Sequence, residues 1–271
     1  MYLQGKVIDY FSSLASNYQE KEKTDEDSIL SFRYMTPQHF RRFYSPSSNN
    51  PLHYAVQCNK VESCCALIKS PHVVINAINA QGKNIYHIAI ECNSVDVLEQ
   101  CLCPPLNRFR IDPHFNDFVP DMLNMEEPLS KCTPLFYAIH LSNVFAVLRL
   151  APLVNCNEIV YGAQKKNGTD GLTPLFLAVE CNNVEITRAL VQLEHQDGSP
   201  YIDVNQYNED GHTPLIRAAS LGMVEICEVL ITEGGADVNE RTKKGGKTAL
   251  QKAKKRKLDQ IVDLLKRLGA E

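Results

Sequence analysis

One phrase recurs along this 271-residue chain, and recurrence at a near-fixed period constrains a fold more tightly than composition does. Its clearest copy spans 210–239. It has a turn at Asp210 and Gly211, a helix opening at Thr213, Pro214 and Leu215, and an apolar run to Leu221 and Gly222. A second run from Met223 to Ile231 follows, closing on Gly235, Ala236, Asp237, Val238 and Asn239. Thr213 can accept a hydrogen bond from an unpaired N–H of the first helical turn, and Pro214 suits the first helical position because it has no N–H to leave unmatched. Gly222 supplies a left-handed cap, so the first helix stops after about two turns. Val224, Ile226, Cys227, Leu230 and Ile231 recur at helical spacing, which predicts a second helix with one apolar stripe.

The opening phrase begins at Asn50, Asn84, Thr133, Thr173, Thr213 and Thr248, in steps of 34, 49, 40, 40 and 35 residues. Second-helix echoes stand at Val61 and Glu62, Val95 and Asp96, Val184 to Ile186, and Val224 to Ile226. A base period near 34 with insertions resembles the ankyrin repeat, whose pattern opens on T-P-L-H-x-A and ends in a G-A-D-V-N-like run. The resemblance covers 47–271 and implies an all-α solenoid of helix pairs with hairpin fingers. Repeats start near 47, 81, 130, 170, 210 and 245. In such a solenoid each repeat buries its apolar face on its neighbours, and six exceed the roughly three needed for stability.

Departures from the pattern carry expectations of their own. The family His stands at His53 and His87 but is replaced by Phe136, Phe176, Ile216 and Gln251, so those four repeats are expected to lose an internal hydrogen bond. The corner between helices carries Gly only at Gly222. Asn59, Asn93 and Asn182 tolerate the left-handed conformation, whereas Ser142 and Lys257 do not favour it.

Outside the repeats, residues 1–46 hold the apolar side Val7, Ile8, Tyr10, Phe11 and Leu14 and a charged run over 20–27, and are read as an N-terminal helical cap or arm. An insertion at 103–131 carries Pro104, Pro105, Pro113, Pro120 and Pro128, which forbid a long helix. It is expected to form an ordered finger packed on the second and third repeats. Ten cysteines without a spaced framework point to a reducing compartment such as the cytoplasm. No signal peptide and no membrane-spanning stretch is legible.

Charge is uneven. Residues 240–271 carry 11 basic and four acidic side chains, so a chain of net −4 places −11 on the remainder. Lys254, Lys255, Arg256 and Lys257 resemble a short nuclear-import signal, but a repeat interior and a solvated C-terminal cap explain them better. Cys101, Cys103 and His114 lack zinc-site spacing. Gly245, Gly246, Lys247 and Thr248 lack the upstream Gly of a phosphate loop, and no catalytic phrase is present. No cofactor, metal or small-molecule substrate is expected, and a cysteine hydrolase is the disfavoured enzymatic alternative.

What the resemblance implies is a non-enzymatic protein-interaction module, or in the alternative an adaptor or effector that targets a partner protein, acting as a monomer without nucleic acid. Carried over residue by residue, the finger and inner-helix contact positions are Lys83, Glu91, Cys92, His140, Leu141, Leu172, Glu180, Cys181, Glu209, Asp210, His212, Ser220 and Leu221. Glu91, Glu180, Glu209 and Asp210 make this groove acidic and favour a basic or polar docking segment. In some ankyrin repeats the hairpin Asn, here Asn76, Asn205 and Asn239, is an asparaginyl hydroxylase substrate; a structural bond across the turn is the stronger expectation.

Overall fold

The computed structural model describes residues 50–69, 73–102, 119, 121–127, 132–159, 171–195 and 197–271. The N-terminal cap expected over 1–46 lies outside them. Among the described residues the helices fall into six consecutive pairs. They are α1 (Pro51–Gln57) with α2 (Val61–Ile68), α3 (Ile85–Glu91) with α4 (Val95–Val97), and α5 (Pro134–His140) with α6 (Val144–Leu150). The remaining pairs are α7 (Pro174–Glu180) with α8 (Val184–Val191), α9 (Pro214–Leu221) with α10 (Val224–Thr232), and α11 (Ala249–Arg256) with α12 (Asp259–Arg267). First helices pack on first helices of the next pair and second helices on second helices, which is the nearest-neighbour logic of a solenoid.

Each opening residue becomes a helix N-cap. The side chains of Asn50, Asn84, Thr173, Thr213 and Thr248 accept backbone N–H groups of their first turns, while Thr133 takes the same extended backbone without a side-chain cap bond. The core follows from the phrase. Leu52, Leu135, Leu175, Leu215 and Leu250 are buried with Tyr86 in the corresponding place, and so are Ala55, Ala89, Ala138, Ala178, Ala218 and Ala253. Alanine lets the first helix approach its partner closely, and the leucines bridge to the next repeat.

All six corners are left-handed. Gly222 has φ 83°, and Asn59, Asn93, Ser142, Asn182 and Lys257 lie between 50° and 60°. Ser142 and Lys257 therefore adopt a conformation their side chains disfavour, because stacking of the helix pairs on both sides fixes the corner. Ser142 recovers part of the cost: its Oγ accepts from Asn183 Nδ2 at 3.0 Å.

The histidine brace takes a definite form. His53 Nδ1 accepts from the Asn50 N–H at 2.9 Å while the His53 N–H donates to Asn50 Oδ1 at 2.8 Å. This reciprocal capping box leaves the ring proton on Nε2, which donates to the Ala77 carbonyl at 3.1 Å in the following finger. His87 is held differently: its Nδ1 lies 2.9 Å from Asn84 Oδ1 and its Nε2 3.0 Å from the Cys132 carbonyl, so both ring nitrogens face oxygen acceptors and no reciprocal capping box forms. Phe136, Phe176 and Ile216 fill the equivalent space by burial. Gln251 departs from expectation: its Oε1 accepts from the Thr248 N–H at 3.3 Å and rebuilds the capping box, because an amide oxygen reaches the same backbone N–H as the imidazole nitrogen.

Between repeats the fingers are joined by a ladder of asparagines. Asn157 Oδ1 accepts from Asp203 N at 2.8 Å, Asn205 Oδ1 from Asp237 N at 2.9 Å, and Asn239 Oδ1 from Glu271 N at 2.9 Å. These side chains bond to the next repeat rather than across their own turn. Of the insertion at 103–131, residues 119 and 121–127 are described. A helical turn at 121–124 buries Met122 and Leu123, and the Met122 carbonyl accepts from Asn84 Nδ2 at 2.6 Å.

Candidate protein-docking surface

The first helices end on one edge of the stack, where their last two positions before each corner form two columns. One column reads Gln57, Glu91, His140, Glu180, Ser220 and Lys255; the next reads Cys58, Cys92, Leu141, Cys181, Leu221 and Arg256. The second column is exposed throughout, with Leu141 at 48% and Leu221 at 38%. Apolar side chains this open on the third and fifth repeats, with the exposed Cys181 between them, mark a candidate contact surface.

Polar side chains tie the edge together from repeat to repeat. Lys83 Nζ lies 2.9 Å from both Glu91 oxygens and 3.0 Å from the Tyr137 hydroxyl. Burial alone pulls the Lys83 ammonium down, but its bonds to Tyr137 and Glu91 outweigh that, and its pKa stands above the ordinary value. Glu180 is gripped by two Arg217 nitrogens: Nε bonds Oε1, and Nη2 lies 3.0 Å from Oε2. His212 Nε2 lies 3.2 Å from Lys252 Nζ. Burial and then the Lys252 charge hold His212 below the usual imidazole value, so it meets the ammonium as a neutral acceptor.

Three features of the sequence-based site change as a result. Leu172 is 4% exposed and belongs to the core. It follows Gly171, whose φ of 82° turns the chain so tightly that a Cβ there would sit 2.6 Å from Ile159, and the apolar side chain is carried inward. Ser220 is also buried, its Oγ donating to the Arg217 carbonyl at 2.9 Å and its own carbonyl covered by Arg256 Nη1 at 2.6 Å. The acidic groove is partly neutralised, since Glu91 and Glu180 are paired within the chain. Glu209 and Asp210 remain exposed at a finger tip.

Tyr137, Arg217 and Lys252 join this surface although the sequence did not single them out. They share one repeat column, the fifth residue of the opening phrase, and aligning the six copies on that column would have found them. Lys254, Lys255 and Arg256 lie in the last turn of α11, and Lys257 forms its left-handed corner.

One thiol and one imidazole meet on the edge: Cys181 Sγ lies 3.9 Å from His140 Nδ1. Burial, then the Glu180 charge, pushes the thiol up, and burial pushes His140 down. Both groups are thus held neutral, the reverse of an activated thiolate with its imidazolium. Cys103 and His114 lie outside the described residues, among which there is no group of three or more His, Cys, Asp or Glu able to hold a metal. No helix among the described residues is long and apolar enough to cross a membrane.

Six stacked helix pairs, left-handed corners and fingers joined across repeats define a helical-repeat solenoid. Residues 153–242 and 195–271 match a family model described as ankyrin repeats in three copies, and 47–80 match the single ankyrin repeat. The chain belongs to the ankyrin-repeat family, whose repeats are generally protein–protein interaction modules and typically non-enzymatic. Among solved structures it is similar to the ankyrin repeat domain of Bcl-3, described as a unique member of the IkappaB protein family, at 19% identity and TM-score 0.59. That match covers 83% of this chain and 88% of that one. It is also similar to the ankyrin repeat protein EF0377, at 18% identity and TM-score 0.53 over 80% and 96% of the two chains. A third similar structure is an ankyrin repeat domain from Acinetobacter baumannii AYE, at 21% identity and TM-score 0.53 over 82% and 98%. At these identities the likeness is one of fold. No curated protein matches the chain in sequence.

Proposed function

We propose that this chain binds a partner protein through the edge formed by its fingers and the C-terminal ends of its first helices. The observation that carries this reading is the open column Cys58, Cys92, Leu141, Cys181 and Leu221, uncharged side chains presented by five successive repeats beside the exposed Glu209 and Asp210. A partner segment with apolar side chains over Leu141 and Leu221 and a basic or polar group toward the finger tip complements it. Glu91 and Glu180 act chiefly through their internal partners. The basic residues Lys254 to Arg256 are held in a helix of the sixth repeat, which does not suit the extended segment that an import receptor reads. A reducing compartment such as the cytoplasm suits nine free thiols among the described residues.

Crosslinking capture from cell lysate tests the reading, using the intact chain beside a Glu209→Lys, Asp210→Lys variant and a Leu141→Asp, Leu221→Asp variant. Each variant is first shown to keep its helical circular dichroism. Loss of the same captured protein in both variants supports the surface, and capture at unchanged levels in both rejects it.

A further inference from the structure

Nine cysteines are described, and their surroundings divide them sharply. Cys64, Cys132, Cys156 and Cys227 are buried in the core, and burial pushes the Cys64, Cys156 and Cys227 thiols up, Cys156 and Cys227 to about 12. Such thiols stay protonated and inert. Cys58, Cys92 and Cys181 are exposed but occupy one corner position in separate repeats. Cys65 and Cys101 differ from both groups, because their sulfurs lie 3.1 Å apart across the junction between the first and second repeats.

The local backbone makes this contact. Cys65 lies on α2 and is half-buried, whereas Cys101 is buried. Cys101 lies in Leu98–Leu102, where the second helix of its repeat continues from α4 as a π-helix. A π turn takes in an extra residue and rotates the side chains that follow it, and single π turns inside helices are frequent at functional sites. Here Cys101 is brought against α2, with its sulfur 3.1 Å from Cys65 and 3.4 Å from the Val61 carbonyl.

We propose that Cys65 and Cys101 form a dithiol modification site, which a low-molecular-weight disulfide such as glutathione disulfide oxidises to a covalent bond between the first and second repeats. Cys65 is the attacking sulfur. Cys65 is the more exposed of the two, and its sulfur contact with Cys101, opposed by burial and aided by the Lys69 ammonium, favours its thiolate and holds it below the ordinary thiol value. The hydrogen bond to Cys65, and next burial, hold Cys101 above that value. The Cys65 thiolate attacks one sulfur of the small disulfide, whose S–S bond breaks and releases one thiolate. Cys101 then loses its proton and attacks the Cys65 sulfur of the mixed disulfide, and the second small thiolate leaves with that proton. Two protein thiols are oxidised and one disulfide is reduced to two thiols.

The bond closes a loop spanning 36 residues and fastens the second helix of the first repeat to that of the second. A covalent link across this junction restricts separation of the two repeats.

The test uses the full chain, treated with glutathione disulfide under native conditions, quenched with an alkylating agent and mapped by mass spectrometry without reduction. The expected result is the loss of two alkylatable thiols, one linked peptide containing Cys65 and Cys101, and recovery of both thiols with dithiothreitol. In Cys101→Ser the reaction is expected to stop at a single persistent glutathione adduct on Cys65. The wild-type map decides the matter even if that variant folds poorly. The proposal is overturned if adducts accumulate on Cys58, Cys92 or Cys181 while Cys65 and Cys101 remain alkylatable, or if Cys65 links to another cysteine.

Discussion

Arg217 reaches back one repeat to grip Glu180 with two nitrogens, and each of the two side chains is only about a quarter exposed, at 27% and 23%. The pair joins the first helix of the fifth repeat to that of the fourth on the proposed docking edge. Partial burial and two-point contact make it stronger than an open surface pair, though still modest. A double-mutant cycle with Arg217→Met and Glu180→Gln, followed by urea unfolding, is expected to return a coupling of about 1 kcal/mol. The equivalent cycle at Arg188 and Glu233, whose Arg side chain is 46% exposed, is expected to return roughly half that. Equal couplings would contradict the view that burial sets the difference.

The elements that local chemistry controls could be read from the sequence. Asn50, Asn84, Thr133, Thr173, Thr213 and Thr248 each stand at a helix start because capping depends on a side chain and the N–H groups three residues away. What depends on the rotation of one repeat against the next was not legible. Arg217 and Glu180 are 37 residues apart and Cys65 and Cys101 are 36, and no local rule says which faces of two helices will meet. Leu172 shows the same boundary from the other side. Its place before an opening phrase suggested an exposed finger, yet its apolar side chain turns into the core at a position where Lys83 and His212 stay partly exposed. The acidic groove failed for a related reason, since counting carboxylates cannot reveal the cations that stacking brings beside them.

The left-handed corners offer a test of how far stacking overrides side-chain preference. Lys257 sits at φ 60° at an exposed corner, where a residue with a Cβ is strained and glycine is not. Lys257→Gly is expected to raise stability by about 0.5 kcal/mol in urea denaturation. Ser142→Gly relieves the same strain but loses the bond from Asn183, so a change near zero is expected. Gly222→Ala runs the other way. Its new Cβ would meet Leu258 at an ordinary 3.6 Å, so the expected loss of about 1 kcal/mol comes from the backbone alone. A loss at Lys257→Gly as large as that at Gly222→Ala would show that the corner carries no strain.

His53 ties stability to pH in a direction its geometry fixes. His53 accepts at Nδ1 from a backbone N–H and donates from Nε2 to a carbonyl, so a second ring proton would face an N–H donor. Burial lowers its pKa to about 4 from an ordinary 6.5, with the Ala77 carbonyl opposing the shift. Burial lowers His87 as well. A folded-state value below the unfolded one means that the unfolded chain binds the proton first as pH falls. The His53 contribution is therefore complete above pH 6.5, is lost progressively down to about pH 4, and amounts at most to roughly 3 kcal/mol. Urea midpoints measured across that window should fall with acidity. In His53→Gln the slope should flatten without disappearing, because Gln251 already shows that glutamine can close the same capping box and His87 still titrates. A slope unchanged by His53→Gln would locate the acid sensitivity elsewhere in the chain.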